Sequence, residues 1–176
     1  MNANATPDYY ADESIRLTLR KNITKTLNEE AVCMMEEIET SAQNSPNQKT
    51  VIVQGYSMWY SYWNPENSVQ NFIVDLEKAL PVMNKLADIT CYIWMPQPPL
   101  NLNKQVKWLT QMLDSQMSEI NEVARKRLHT DIVYWEGSRN NAAADDDDYY
   151  DFAHPGYRIL LQDWYDLYEA FGCSQG

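Results

Sequence analysis

The chain has 176 residues and two histidines, and one of these has an aspartate three positions before it, in Asp151-Phe152-Ala153-His154. An imidazole titrates near neutral pH and can take a proton from a hydroxyl, while a carboxylate one turn away can fix its tautomer and stabilise the imidazolium that forms. The pair therefore has the chemistry of a general base, His154, with Asp151 as its orienting acid. The surrounding "DDDDYYDFAHPGYR" is dense in aspartate, so an acidic, solvent-facing loop with a histidine ahead of a helix is the competing account. A base also needs a nucleophile to serve. Ser57, in "VIVQGYSMW", stands two residues after Gly55, and Gly-x-Ser directly after a strand is the pattern of a nucleophile elbow, with Ser, Asp and His in a matching chain order. Against Ser57 stand the bulky Trp59, where an elbow needs a small residue, and a dozen residues of aromatic loop where a helix should start at once.

The other chemistry-bearing residues say less. Trp59, Tyr60, Tyr62 and Trp63 could floor a sugar or acyl pocket, or could pack a loop against a sheet, and the sequence leaves both open. The run Asp145 to Asp148 lacks the alternating ligand positions and the turn glycine of a calcium loop and reads as solvated charge. Cys33, Cys91 and Cys173 have no CxxC spacing and no neighbouring histidine, so no metal site is expected; Cys33 and Cys91 sit in apolar contexts and read as core thiols. His129 has no acid partner in its pattern and reads as structural, and Trp94 and Met95 read as core. Nothing calls for a cofactor.

Composition bounds the rest. With 44% apolar and 22% charged residues, six Trp and twelve Tyr, the chain can bury a core and lies far from the signature of disorder. A net charge of −11, with the 14 Lys and Arg scattered, disfavours the basic face that phosphate binding needs, so no nucleic-acid partner is expected. The one basic cluster, Arg125-Lys126-Arg127, reads as the last turn of a helix, where cations complement the helix dipole. No apolar run approaches the ~20 residues of a membrane span. The N-terminus has neither a basic nor an apolar signal region, so the expected location is cytoplasmic if Met1 is the true start, and the secretory pathway if a segment precedes it. Oligomeric state is not legible.

The elements that must position these residues follow from periodicity. After a polar segment, 1–14, the domain is expected over 15–173. Ile15, Leu17 and Leu19 alternate with Arg16, Thr18 and Arg20, which predicts a strand. Leu27, Ala31, Met34, Met35 and Ile38 predict an amphipathic helix over about 26–41. "TVIVQG" predicts an interior strand covered on both faces. After the aromatic loop 56–68, Val69, Phe72, Ile73, Leu76, Leu80 and Met83 trace a helix with Asn67 or Ser68 as its cap. "ITCYIWM", 89–95, predicts a strand stopped by "PQPP". A long helix follows over about 103–128, with Val106, Leu109, Leu113, Met117, Ile120 and Ala124 on one face. "DIVYW", 131–135, predicts a strand, the acidic loop follows it, and Pro155 opens a last helix carrying Ile159, Leu160, Trp164, Leu167 and Phe171, with Gly172 as its stop. Alternating strands and helices predict a three-layer α/β fold with a mainly parallel, flavodoxin-like sheet. Its ligands would bind beyond the carboxyl ends of the strands, where the loops after Gly55, after Met95 and around Asp151 to His154 emerge.

"DFAHPGYRILLQDWYDLYEAFGC" resembles the closing block of the SGNH (GDSL-type) hydrolases, a D-x-x-H-P segment leading into a terminal helix. With "VIVQGYSMW", "YIWMPQPP", the Asn of "INEVA" and "DIVYWEG", the chain looks most like the PC-esterase branch, which includes relatives of the NXPE C-terminal domain. The resemblance covers about residues 15–173. It implies an ester hydrolase or O-acyltransferase acting on acylated glycans or similar esters, with His154 as base, Asp151 as its partner and Gly55 offering an oxyanion a backbone N–H. Trp59 stands among the residues Tyr56 to Trp59 that replace the Asn of the family's oxyanion block. The family's serine lies in a Gly-Asp-Ser turn after the first strand, and the sequence contains no Gly-Asp-Ser. Strand 15–20 matches the family's second strand, so its first strand is missing, and in the sheet order 2-1-3-4-5 that leaves an interior slot open. A non-catalytic binding protein that retains the fold is the alternative reading.

Overall fold

The computed structural model describes residues 11–12, 15–16, 24–101, 103–104, 107–144 and 147–171. Two short strands, β1 (Ala11–Asp12) and β2 (Ile15–Arg16), pair antiparallel in a ribbon of their own. The expected strand 15–20 is thus seen only at its start, and its remainder lies outside the described residues, as do Val106, Asp145, Asp146, Gly172 and Cys173.

The chain then alternates between helix and strand. Helix α1 (Glu29–Gln43) begins where the Asn28 side chain accepts the Ala31 N–H at 3.0 Å, the bond that makes Asn a strong N-cap. Strand β3 (Val51–Gln54) leads through α2 (Met58–Trp63) and a 3-10 turn, Pro65–Asn67, into α3 (Ser68–Ile89). Strand β4 (Cys91–Trp94), helix α4 (Lys107–Arg127), strand β5 (Val133–Tyr134), and helices α5 (Gly137–Ala144) and α6 (Tyr157–Phe171) complete the order. The sheet is parallel, β3-β4-β5, with Val51 opposite Cys91 and Ile93 opposite Val133. The protein is α/β, as the alternation of periods predicts.

Because side chains alternate across a strand, Ile52, Tyr92, Trp94 and Tyr134 share one face of the sheet. They meet the apolar stripe of α3, where Phe72, Leu76, Ala79, Met83 and Leu86 are fully buried, together with Ile120 and Ala124 of α4 and Met35 of α1. Burying each large apolar side chain contributes roughly 1.5–3 kcal/mol, so this cluster is the main core. The other face is covered only in the centre. Ile93 is buried, while Val51 and Val53 are 49% and 45% exposed. The expectation that β3 is covered on both faces is overturned, because among the described residues β3 is an outer strand with helices on one side only.

Other expectations are corrected by local pairing. The "aromatic loop" is mostly helix: α2 starts at Met58, three residues after Gly55. The segment after β5 opens with α5, and Asp148 is not merely solvated charge, since its Oδ2 accepts the Arg158 and Ile159 N–H groups at 2.7 and 3.1 Å and so caps α6. Helix α6 has its apolar stripe facing outward. Leu160, Leu161, Trp164, Tyr165 and Tyr168 are exposed, while Ile159 and Asp163 are buried, with Asp163 accepting from Ser138 Oγ at 2.6 Å and from Asn141 at 2.8 Å. Cys33 is exposed and Cys91 only half-buried, so neither is a core thiol. His129 does have an acid partner: its Nδ1 lies 3.0 Å from Asp131, both on the surface. Neither Asn67 nor Ser68 caps α3 with its side chain; Ser68 is its first helical residue and its hydroxyl donates back to Pro65 O at 3.4 Å. Arg125, Lys126 and Arg127 form the last turn of α4, paired with Glu122 and Glu77.

Candidate functional site

The Asp151-to-His154 turn is held by its own backbone first. Tyr149 and Pro155 form a bridge, Tyr150 N–H donates to His154 O at 3.0 Å, and Gly156 N–H donates to Asp148 O at 2.6 Å. A Cβ at Gly156 would crowd both the Asp148 carboxylate and its backbone carbonyl, so the tight closure of the loop favours glycine here. Inside this closed loop, Asp151 uses both oxygens. Oδ1 accepts the N–H groups of Ala153 and His154 at 2.8 and 2.9 Å, and Oδ2 accepts from His154 Nδ1 at 2.8 Å. The carboxylate thus sets the turn and the imidazole together. An acceptor at Nδ1 fixes the proton there in the neutral ring and leaves Nε2 as the nitrogen able to take another. The His154 side chain is 64% exposed, so Nε2 is open to a ligand.

Electrostatics agree with the geometry. Partial desolvation alone would raise the Asp151 pKa, but the Ala153 N–H, the His154 ring and the His154 N–H outweigh it and hold the carboxyl below its ordinary value. Asp151 is therefore an anion at neutral pH, the state an orienting acid needs.

The loop is stitched to the one that follows β4. Asn101 N–H donates to Phe152 O at 2.8 Å, the Tyr149 hydroxyl donates to Pro99 O at 2.6 Å, and the Lys104 ammonium donates to Tyr149 O. Beneath these bonds Leu100, Leu113, Met117 and Ala153 form a second apolar cluster with Phe152 and Met58 against it. The loop after β4 is itself clamped by Asn121 of α4, which donates to Gln97 O at 3.1 Å and accepts Gln97 N–H at 3.3 Å.

Gly55 belongs to the same edge for a steric reason. Any Cβ at this position would overlap the Met95 carbonyl oxygen, so the glycine allows the ends of β3 and β4 to touch. Ser57 caps the start of α2 by position, which makes β3, Gly55-Tyr56-Ser57 and α2 a strand–turn–helix of the kind that presents a nucleophile. The short helix removes one sequence objection to Ser57. Burial supplies another: Ser57 is 2% exposed and its Oγ has no hydrogen-bond partner, His154 included. Met58 joins the cluster beneath Ala153, whereas Trp59 turns away from it. Trp59 packs against Trp63 with ring centroids 5.1 Å apart and planes tilted by 45°, and lines a groove with Tyr60 and Asp75.

The structure thus brings Asp151 and His154 together, while the Ser57 hydroxyl makes no hydrogen bond to either of them. Sequence reasoning singled out Asn121 only through the family resemblance and not as a clamp, and it missed Asp148 as a cap and Tyr149 as a tie, because a single side chain bonded to backbone outside its own element leaves no periodic signal. Among the described residues no cluster of His, Cys, Asp and Glu is placed to hold a metal ion, and no helix is long and apolar enough to cross a membrane. Comparison with known proteins finds no match to a family model, to a curated protein or to a solved structure.

Proposed function

We propose that the chain is an SGNH/PC-esterase-like domain of the ester-hydrolase or O-acyltransferase class, with a three-layer, flavodoxin-like ancestry, that keeps the acid–base pair and lacks the serine it would serve. The observation that carries this reading is the two-oxygen grip of Asp151 on the His154 ring and on the loop behind it. That loop lies between β5 and the last helix, the place of the family's D-x-x-H-P block, and the contiguous order β3-β4-β5 agrees with the 3-4-5 part of the family's sheet. On this reading the outer edge of β3 would border the slot of the missing first strand. His154 would be the base, Asp151 its orienting partner, and the substrate an acylated glycan or similar ester.

The experiment is labelling with a fluorophosphonate, which reacts only with an activated serine. No labelling is expected, because Ser57 Oγ is buried and not bonded to His154. Stoichiometric labelling that disappears in Ser57→Ala would overturn the absence of a nucleophile and make the protein a complete serine esterase.

The second reading, a non-catalytic binding protein that keeps the fold, is favoured by the same orphaned Ser57 hydroxyl. It predicts that His154→Ala leaves ligand binding intact, whereas an acid–base role predicts loss of any acyl-transfer activity reconstituted with a nucleophile-bearing partner.

A further inference from the structure

Trp59, Tyr60 and Trp63 of α2 line a groove of ≈ 300 Å³ together with Val74 and Asp75 of α3. The Lys25 ammonium lies 4.3 Å from the Trp63 ring centroid and 5.4 Å from that of Trp59. Both distances fall within the ~6 Å reach of a cation–π interaction. The chain carries 25 acidic residues, yet no carboxylate pairs with Lys25 among the described residues, and its charge rests on indole faces instead. The two indole planes are tilted by 45° at 5.1 Å and converge on that one nitrogen. Tyr60 donates to Asp75 Oδ2 at 2.8 Å, which fixes a carboxylate at the groove wall.

We propose that this groove is a binding site for a small alkylated ammonium, such as a choline-like head group, whose cationic nitrogen takes the place of Lys25 over Trp59 and Trp63. Converging aromatic planes with an acid beside them fit a compact, roughly spherical cation, whereas a sugar would need one flat indole face left clear. Lys25 competes with the ligand for the same two indole rings. The site is independent of the acid–base chemistry proposed above, since none of the groove's residues lies in the Asp151 loop.

The test is titration of the full chain with tetramethylammonium and with choline, following the indole N–H resonances of Trp59 and Trp63, with sodium chloride as the ionic control and the uncharged tert-butyl isostere of choline as the neutral one. Saturable shifts are expected with the two ammonium compounds alone. Trp63→Ala, at a half-exposed position, should abolish binding, and Asp75→Asn should weaken it. Lys25→Gln should tighten binding about two- to five-fold, the factor an exposed cation–π contact is worth, and this is a gain that misfolding cannot imitate. The absence of a saturable shift, equal binding of the neutral isostere, or an unchanged affinity in Lys25→Gln would each overturn the proposal.

Discussion

Asn121 grips Gln97 from both sides: its amide nitrogen donates to the Gln97 carbonyl at 3.1 Å while its oxygen accepts the Gln97 N–H at 3.3 Å. One buried side chain on α4 thus satisfies both backbone groups of a loop residue that no strand can pair, since prolines flank it on each side. Asn121→Ala leaves both groups unpaired and should destabilise the protein by about 1–3 kcal/mol in urea unfolding. Asn121→Asp keeps the size but turns an acceptor toward the Gln97 carbonyl, so it should not rescue. An unchanged unfolding midpoint in the alanine variant would show that the clamp does not hold the loop.

Asp151 should titrate below the ordinary aspartate value of about 3.9, because its hydrogen bonds from Ala153 and His154 outweigh desolvation. With the folded pKa depressed, its contribution to stability is fully present above the unfolded-state value and is lost as pH falls through the lower folded one. Carboxyl-carbon NMR titration reads this directly. His154→Ala should move the midpoint upward but only part of the way, since the Ala153 N–H remains. A midpoint at or above the ordinary value would contradict the geometry.

Gly55→Ala forces a methyl group onto the Met95 carbonyl. The ends of β3 and β4 must then part, and overpacking of this kind costs roughly 1–3 kcal/mol. A lower thermal midpoint, with the Met95 amide exchanging faster as its bond to Gln54 O weakens, is the expected outcome.

Asp148→Ala removes the acceptor for the Arg158 and Ile159 N–H groups. Hydrogen exchange at these two amides should accelerate while amides in the middle of α3 are unaffected. Uniform acceleration across both helices would mean that Asp148 supports the whole fold and not the start of α6 alone.

Long amphipathic segments were legible in the sequence. Phe72, Leu76 and Met83 mark the buried stripe of α3 as their spacing predicts, and the β-branched run at Val51 and the apolar run at Cys91 are strands. The short helices were not: α2 has six residues, four of them aromatic, and α5 has no apolar stripe, so neither shows a period. Periodicity located α6 but not its orientation. An apolar stripe shows that a helix has two sides, and here the inward side joins Ile159 to Asp163, which is bonded to Ser138 and Asn141, while Leu160, Trp164 and Tyr168 are exposed. The Asp151–His154 pair was legible because both residues lie within one turn, whereas the burial of Ser57 is a tertiary property that its neighbours in sequence do not mark.

Helix α6 packs chiefly on α5, with a small core of its own made of Ala142, Tyr149 and Ile159, separate from the sheet's core. Segments with few shared apolar contacts open as independent cooperative units at a lower free energy than the whole molecule. Since the Asp151 loop spans the gap between that satellite and the sheet, warming should scramble the imidazole's orientation while β3, β4 and α3 stay folded. Its chemistry would then have a lower melting temperature than its scaffold.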